Sequence, residues 1–131
     1  MSYKIIDSSV YVSLFLESDS RHKEALYIFQ NLWETIILIP YLIYQETLTV
    51  LSNKFSTELA QGFDTLIHSD DRFILIAPEI ADEIIFWREN QKQISYIDIS
   101  LIHASLKYKA ELITFDKEMQ KLYEILLQDD A

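Results

Sequence analysis

The stretch that decides the fold runs from Ile94 to Met119 and reads I-S-Y-I-D-I-S-L-I-H-A-S-L-K-Y-K-A-E-L-I-T-F-D-K-E-M. Residues 97–109 have helical periodicity, because their apolar side chains recur every three or four positions. Three polar residues should share the solvent-facing side of this helix: Ser100, His103 and Lys107. After a tight turn, the apolar pair at 112 and 113 predicts a short buried strand.

Two carboxylates accompany this helix and strand. At about 100° per residue, Asp98 lies roughly 140–200° from the three polar positions, so its side chain is expected to point away from water. Asp116 follows the strand after Thr114 and Phe115. A buried carboxylate is costly unless a cation meets it. Two carboxylates on adjacent elements therefore indicate a metal site.

The rest of the chain alternates strands with helices. Apolar runs predict strands at 3–7, 36–39 and 73–76. The run at 36–39 is typical of a strand covered on both faces, and the run at 73–76 predicts a third buried strand. Helices are expected over residues 8–17, 21–33, 41–54, 56–68 and 78–91. This order predicts an α/β fold, a three-layer α/β/α sandwich with a central parallel sheet of four or five strands. Periodicity leaves open whether residues 123–127 form the fifth strand or belong to the last helix.

Composition narrows the class of protein. With 131 residues, half of them apolar, residues 1–131 are expected to form a single domain with a full core. The absence of cysteine excludes disulfides and thiolate metal sites, and it is compatible with a reducing cytoplasm. The longest apolar run, residues 36–44, is too short to span a bilayer and contains Pro40, so we expect a soluble protein with no membrane partner.

The net charge is −10, from 21 acidic and 11 basic residues. Proteins that coat nucleic acid by charge are basic, so this balance argues against that class. The negative charge is compatible with an enzyme that binds phosphate through metal cations. A basic protein partner is the other natural interpretation of the charge.

Four acids can converge on one edge of the predicted sheet. Asp7 ends the first strand and Asp116 the fourth, Glu46 lies in the helix after the second strand, and Asp98 begins the helix that feeds the fourth. The carboxyl edge of an open parallel sheet is where such folds place their sites. The sequence therefore predicts an acidic site at this edge.

Other interpretations of these residues stay open at this stage. Asp7 and Asp116 could each cap a helix, and Ser95 with Asp98 matches a capping box. Glu46 lies in mid-helix among apolar neighbours, where no capping role explains it. The basic cluster at 21–23 could approach phosphates, although a solvated first helical turn is the interpretation we favour.

The order of four motifs resembles the PIN-domain nucleases, and most closely the small VapC-type toxins of toxin–antitoxin pairs. The motifs are I-I-D-S-S-V-Y-V at 5–12, P-Y-L-I-Y-Q-E-T-L at 40–48, S-Y-I-D-I-S-L-I-H-A-S at 95–105 and L-I-T-F-D-K-E-M at 112–119. Together they span nearly the whole chain. The sequence departs from the family in residues 108–111, where the turn before the fourth strand has no glycine.

This resemblance implies a PIN-like fold and metal-dependent hydrolysis of RNA in the cytoplasm. One or two Mg²⁺ or Mn²⁺ ions would be held by Asp7, Glu46, Asp98 and Asp116. Thr114 and the hydroxyl of Ser8 or Ser9 would support the site. The resemblance also implies a cognate antitoxin and a homodimer. The alternative is a catalytically silent PIN-like module that binds protein or RNA.

Overall fold

The computed structural model describes residues 2–32, 34–90 and 94–130, and its strands there pair into one parallel sheet. The strands are β1 (Ser2–Ile6), β2 (Thr35–Pro40), β3 (Phe73–Ile76) and β4 (Glu111–Ile113). Their order is β3-β2-β1-β4, so the first strand pairs with both the second and the fourth. In this register Ile5 lies beside Leu38 on one side and Leu112 on the other.

Helices connect the strands and flank the sheet, which confirms the predicted α/β/α architecture. They are α1 (Ser8–Phe15), α2 (His22–Gln30), α3 (Tyr41–Lys54), α4 (Thr57–Ser69), α5 (Ile80–Asn90), α6 (Tyr96–Lys107) and α7 (Lys117–Asp130). Residues 123–127 belong to α7 rather than to a fifth strand. Trp33 and Gln91, where two predicted helices were expected to end, lie outside the described residues. Within the described ranges, no helix is both long and apolar enough to cross a membrane.

The core lies between the central strands and the helices that cover them. Ile5 and Ile37 are fully buried, as is Tyr11 of α1. The Tyr11 ring meets Phe63 of α4 edge-on, with 5.1 Å between ring centroids. Its hydroxyl is buried and has no hydrogen-bond partner in the part of the chain that the structure describes. This aromatic contact fixes α1, which begins directly after Asp7, against the rest of the core.

The third strand lies at the edge of the sheet and is partly exposed, contrary to the expectation of a buried strand. It pairs with β2 alone, and Ile74 and Leu75 are 42% and 41% exposed. A continuous apolar run predicts a strand, but it carries no information about how many neighbours that strand has. The same expectation is correct for β2, whose residues are nearly all buried.

Ser100 is buried, so the prediction that it faces solvent is wrong. Its hydroxyl donates a hydrogen bond to the carboxylate of Glu83, which lies on α5 and is itself buried. The side of α6 that carries Ser100 is therefore covered by a polar partner from another helix. His103 is partly buried and Lys107 is exposed.

The turn into β4 has an unusual backbone. Lys109 has φ 53°, in the left-handed region that glycine adopts at least cost. The next amide, of Ala110, donates to the Ser105 carbonyl at 2.9 Å and closes the end of α6. This is the turn in which the resembled family carries glycine, so Lys109 adopts here a conformation that costs a side-chain-bearing residue free energy.

Candidate active site

Asp7 is the most firmly held acid of the site. Its backbone amide donates to the Ile113 carbonyl at 2.9 Å, because β1 and β4 are neighbours. Its carboxylate accepts hydrogen bonds from the Ser8 amide at 2.8 Å, the Ser9 hydroxyl at 2.9 Å and the Thr114 hydroxyl at 2.9 Å. Asp7 therefore caps α1, and at the same time three donors fix its orientation at the strand end.

Glu46 approaches Asp7 from α3. The Ser8 hydroxyl lies between the two carboxylates, 3.1 Å from Oε2 of Glu46 and 3.4 Å from Oδ1 of Asp7. Partial burial raises the pKa of Glu46 and the charge of Asp7 raises it further, while the Ser8 hydrogen bond lowers it. The structure thus brings Glu46 and Asp7 together around a single hydroxyl that has only one proton to donate.

Asp98 is half-buried in the first turn of α6. Its amide donates to the Ser95 hydroxyl at 3.3 Å, as in a capping box. Burial raises the pKa of Asp98 to about 6, the charges of Asp7, Asp116 and Glu46 also raise it, and a hydrogen bond from Ser95 opposes them. All three other acids are therefore near enough to Asp98 for their charges to act on it.

Asp116 follows β4 and faces solvent more than the other three acids. Its Oδ1 accepts hydrogen bonds from the amides of Glu118 at 2.9 Å and Met119 at 3.1 Å, so it caps α7. Its own amide donates to the Thr114 hydroxyl at 3.0 Å. Thr114 therefore accepts from the backbone amide of Asp116 and donates to the carboxylate of Asp7, so its hydroxyl links the two residues.

The donor set suits a hard divalent cation, although it is not a closed chelate. Among the described residues, no three His, Asp or Glu side chains are close enough together to hold one ion directly. Mg²⁺ usually takes one or two carboxylates and keeps several waters or phosphate oxygens. Burial is the largest cause of the raised pKa values of Glu46 and Asp98, and neighbouring carboxylates add to it, so a bound cation would favour their ionised forms. The residues therefore fit an ion held partly through water.

Arg21 lies beside the site, although the sequence pattern favoured a solvated first helical turn at this position. Its guanidinium Nη1 donates to the Phe115 carbonyl at 3.1 Å, and its central carbon lies 4.6 Å from the centroid of the Phe115 ring. Phe115 stands between Thr114 and Asp116. No local sequence signal could have found this contact, because the two residues are 94 positions apart.

Comparison with known proteins agrees with this geometry. No curated protein matches the sequence. Among solved structures, VapC20 of Mycobacterium tuberculosis, a toxin that cleaves the sarcin–ricin loop, superposes with a TM-score of 0.79. The match covers 92% of this chain and 95% of VapC20 at 17% identity, so the likeness concerns the fold. The PIN domain family model matches residues 4–125. The predicted family is thereby confirmed, and the chain belongs to the PIN-domain family.

Proposed function

We propose that this protein is a metal-dependent endoribonuclease that hydrolyses RNA phosphodiester bonds as the toxin of a toxin–antitoxin pair. The observation that carries the proposal is the convergence of Asp7, Glu46, Asp98 and Asp116, contributed by four separate segments, at the carboxyl edge of the sheet. Membership of the PIN family and the fold shared with VapC20 support it. We assign Mg²⁺ or Mn²⁺ as the cofactor because the donors are all oxygen.

Neighbouring residues of the chain hold and orient the carboxylates of the proposed site. Asp7 keeps a fixed carboxylate because Ser9 and Thr114 anchor it on one side and the Ser8 amide on the other. Glu46 and Asp98 would help to hold a divalent ion and balance its charge. The chemistry that such an ion would supply is a lowered pKa of a bound water and polarisation of the phosphoryl oxygen. Cleavage would leave 5′-phosphate and 3′-hydroxyl ends, as in the nucleases that the sequence resembles.

The partners that we propose follow from charge and family. A chain of net charge −10 is suited to a basic antitoxin segment laid across the acidic edge. We also propose that the protein acts in the cytoplasm, as the family resemblance implies. We propose that it forms a homodimer, since several large apolar side chains are exposed: Leu26, Tyr27, Tyr41, Ile80 and Ile85. Light scattering at micromolar concentration tests the dimer, and a monomer would overturn it.

A second candidate function is a PIN-like module that binds RNA or protein without cleaving. The specific observation in its favour is that no three acids among the described residues already form a chelate. This module would bind RNA equally well in Mn²⁺ and in chelator.

The test incubates purified protein with structured RNAs in Mg²⁺, Mn²⁺ or EDTA and maps the ends of the products. We expect cleavage only with metal, and none by Glu46→Gln, because Glu46 has no capping role that would explain its position. The matched control is Glu89→Gln, since Glu89 is exposed on α5. Cleavage that persists in EDTA or in Glu46→Gln would overturn the proposal. RNA binding without cleavage under every condition would establish the silent module.

A further inference from the structure

Arg21 and Phe115 form a ridge between two clefts beside the carboxylates. The first, here called the serine cleft, has a volume of about 390 Å³ and is lined by Ser8 and Ser9 among others. The second, called the lysine cleft, has about 310 Å³ and is lined by Thr114, Asp116, Lys117 and Lys121. Arg21 and Phe115 line both clefts. Each cleft therefore contains residues that hold or supply the acids, and Arg21 lies where they meet.

The guanidinium of Arg21 is held in place, and most of its N–H groups are still available to a ligand. Within residues 2–32, 34–90 and 94–130, its only hydrogen bond is the one to the Phe115 carbonyl. Its Nε lies 3.9 Å from Glu24 in an exposed ion pair, beyond hydrogen-bond distance. A guanidinium has five N–H groups, so several remain for a ligand. Stacking on the Phe115 ring restricts the directions in which they point.

The charges around the ridge are mixed, unlike the rest of the acidic edge. Lys117 and Lys121 join Arg21 in the lysine cleft, where Glu24, Asp116 and Glu124 match their number. In the serine cleft Arg21 is the cation, and Asp19 is already engaged by the Ser13 hydroxyl and the Arg21 amide. A guanidinium pairs with a phosphate through two parallel hydrogen bonds, a geometry that a lysine cannot supply.

We propose that Arg21 is a substrate-binding residue whose guanidinium contacts an RNA phosphate that flanks the scissile one. The inference rests on the proposed nuclease function for its substrate. An RNA strand that crosses the carboxylates would pass from the serine cleft to the lysine cleft over the Arg21–Phe115 ridge. The acids repel that strand except where ions intervene, so a fixed cation at the ridge holds the adjoining phosphate.

The experiment measures RNA affinity by fluorescence anisotropy over a series of salt concentrations, with a labelled single-stranded oligoribonucleotide and an Asp98→Asn background that prevents cleavage. Arg21→Ala and Arg21→Gln should weaken binding about tenfold and lower the slope of log affinity against log salt by about 0.7, the value for one phosphate on a single strand. Arg21→Gln keeps a polar side chain with N–H donors but no charge, so an equal loss of affinity in both variants assigns the contribution to the charge of the guanidinium. Circular dichroism melts check both variants.

Lys23→Ala is the matched control, because Lys23 is an exposed cation in the same helical turn and lines neither cleft. It should bind like the parent. Unchanged affinity and slope in Arg21→Ala, or an equal loss in Lys23→Ala, would overturn the inference. With Asp98 intact, Arg21→Gln should raise KM about tenfold and leave kcat within about twofold.

The two proposals fail in different ways. If Arg21 contributes to RNA binding in the Asp98→Asn background but the wild-type protein never cleaves, the nuclease function is wrong and the Arg21 contact stands. If the wild type cleaves and the Arg21 variants bind and cleave as their parents do, the Arg21 contact is wrong and the nuclease function stands. A wild-type protein that neither binds nor cleaves RNA overturns both.

Discussion

Replacement of Asp98 by Asn should stabilise the protein in the absence of metal. Burial and the three neighbouring acids raise the pKa of Asp98 from 3.8 to about 6. The folded state therefore prefers the protonated acid, and ionisation of Asp98 destabilises the fold. This destabilisation is absent below about pH 4 and reaches its full size above about pH 6. Asn has no charge to lose, so the variant avoids this cost.

The size of the effect follows from the same pKa. A difference of about 2 pH units corresponds to about 3 kcal/mol if none of it is screened. Asp98 is only half-buried, and solvent screening reduces this figure to about 1 kcal/mol. The helix dipole favours a negative charge in the first turn of α6 and removes a few tenths more, about 0.3 kcal/mol. We therefore expect a net gain of about 0.5–1 kcal/mol in the free energy of unfolding at pH 8.

Urea unfolding in EDTA at several values between pH 4 and pH 8 measures this gain. The advantage of Asp98→Asn should be full at pH 8 and vanish near pH 4. In Mg²⁺ the order should reverse, because the wild type gains stability from the ion and the variant gains less. Asp82→Asn is the control, since Asp82 also lies in the first turn of a helix but is exposed. A variant that is less stable than the wild type at pH 8 in EDTA, or that cleaves RNA fully, would refute the reasoning.

Three further predictions concern single side chains. Thr114→Val removes the hydroxyl that joins Asp7 to the Asp116 amide, and it should cost about 1–3 kcal/mol in urea unfolding and lower kcat, whereas Thr114→Ser should keep most of both. Lys109→Gly relieves a left-handed φ and should stabilise the protein by about 0.5–1 kcal/mol with unchanged cleavage, and a lower melting temperature would contradict this. Tyr11→Phe removes a buried hydroxyl that has no partner among the described residues, so it should raise stability by about 1 kcal/mol by the same melts, and a loss of that size would reveal a missing partner.

The strand and helix pattern was predictable because it depends on local periodicity. Residues 41–54 were predicted as a helix and form α3 with the same bounds. The prediction of acids at strand ends could be made because the carboxyl edge of a parallel sheet is a fixed place in the topology. Helix capping leaves room for the proposed site role of Asp7, since the carboxylate that caps α1 also accepts a hydrogen bond from Thr114.

What could not be predicted depends on partners that are distant in sequence. Ser100 was expected to face water because nothing in α6 shows that Glu83 arrives from another helix to cover it. The exposure of Ile74 depends on the sheet order, which places β3 at the edge. Arg21 reaches Phe115 only because α2 folds against the end of β4, and a run of three basic residues does not contain that information.

The pairing of β1 with β4 has a consequence for the time at which the four acids come together. Asp7 is synthesised long before Thr114, and their hydrogen bond closes a loop of 107 residues. The first three strands and their helices can pair while the ribosome is still adding residues, because their contacts do not need β4. Asp98 and Asp116 join Asp7 and Glu46 only after the segment up to residue 116 has emerged. Contacts of such long range form late in folding. A nascent chain therefore carries a folded framework before its four carboxylates are together, and any activity of the proposed site has to wait until β4 has joined the sheet.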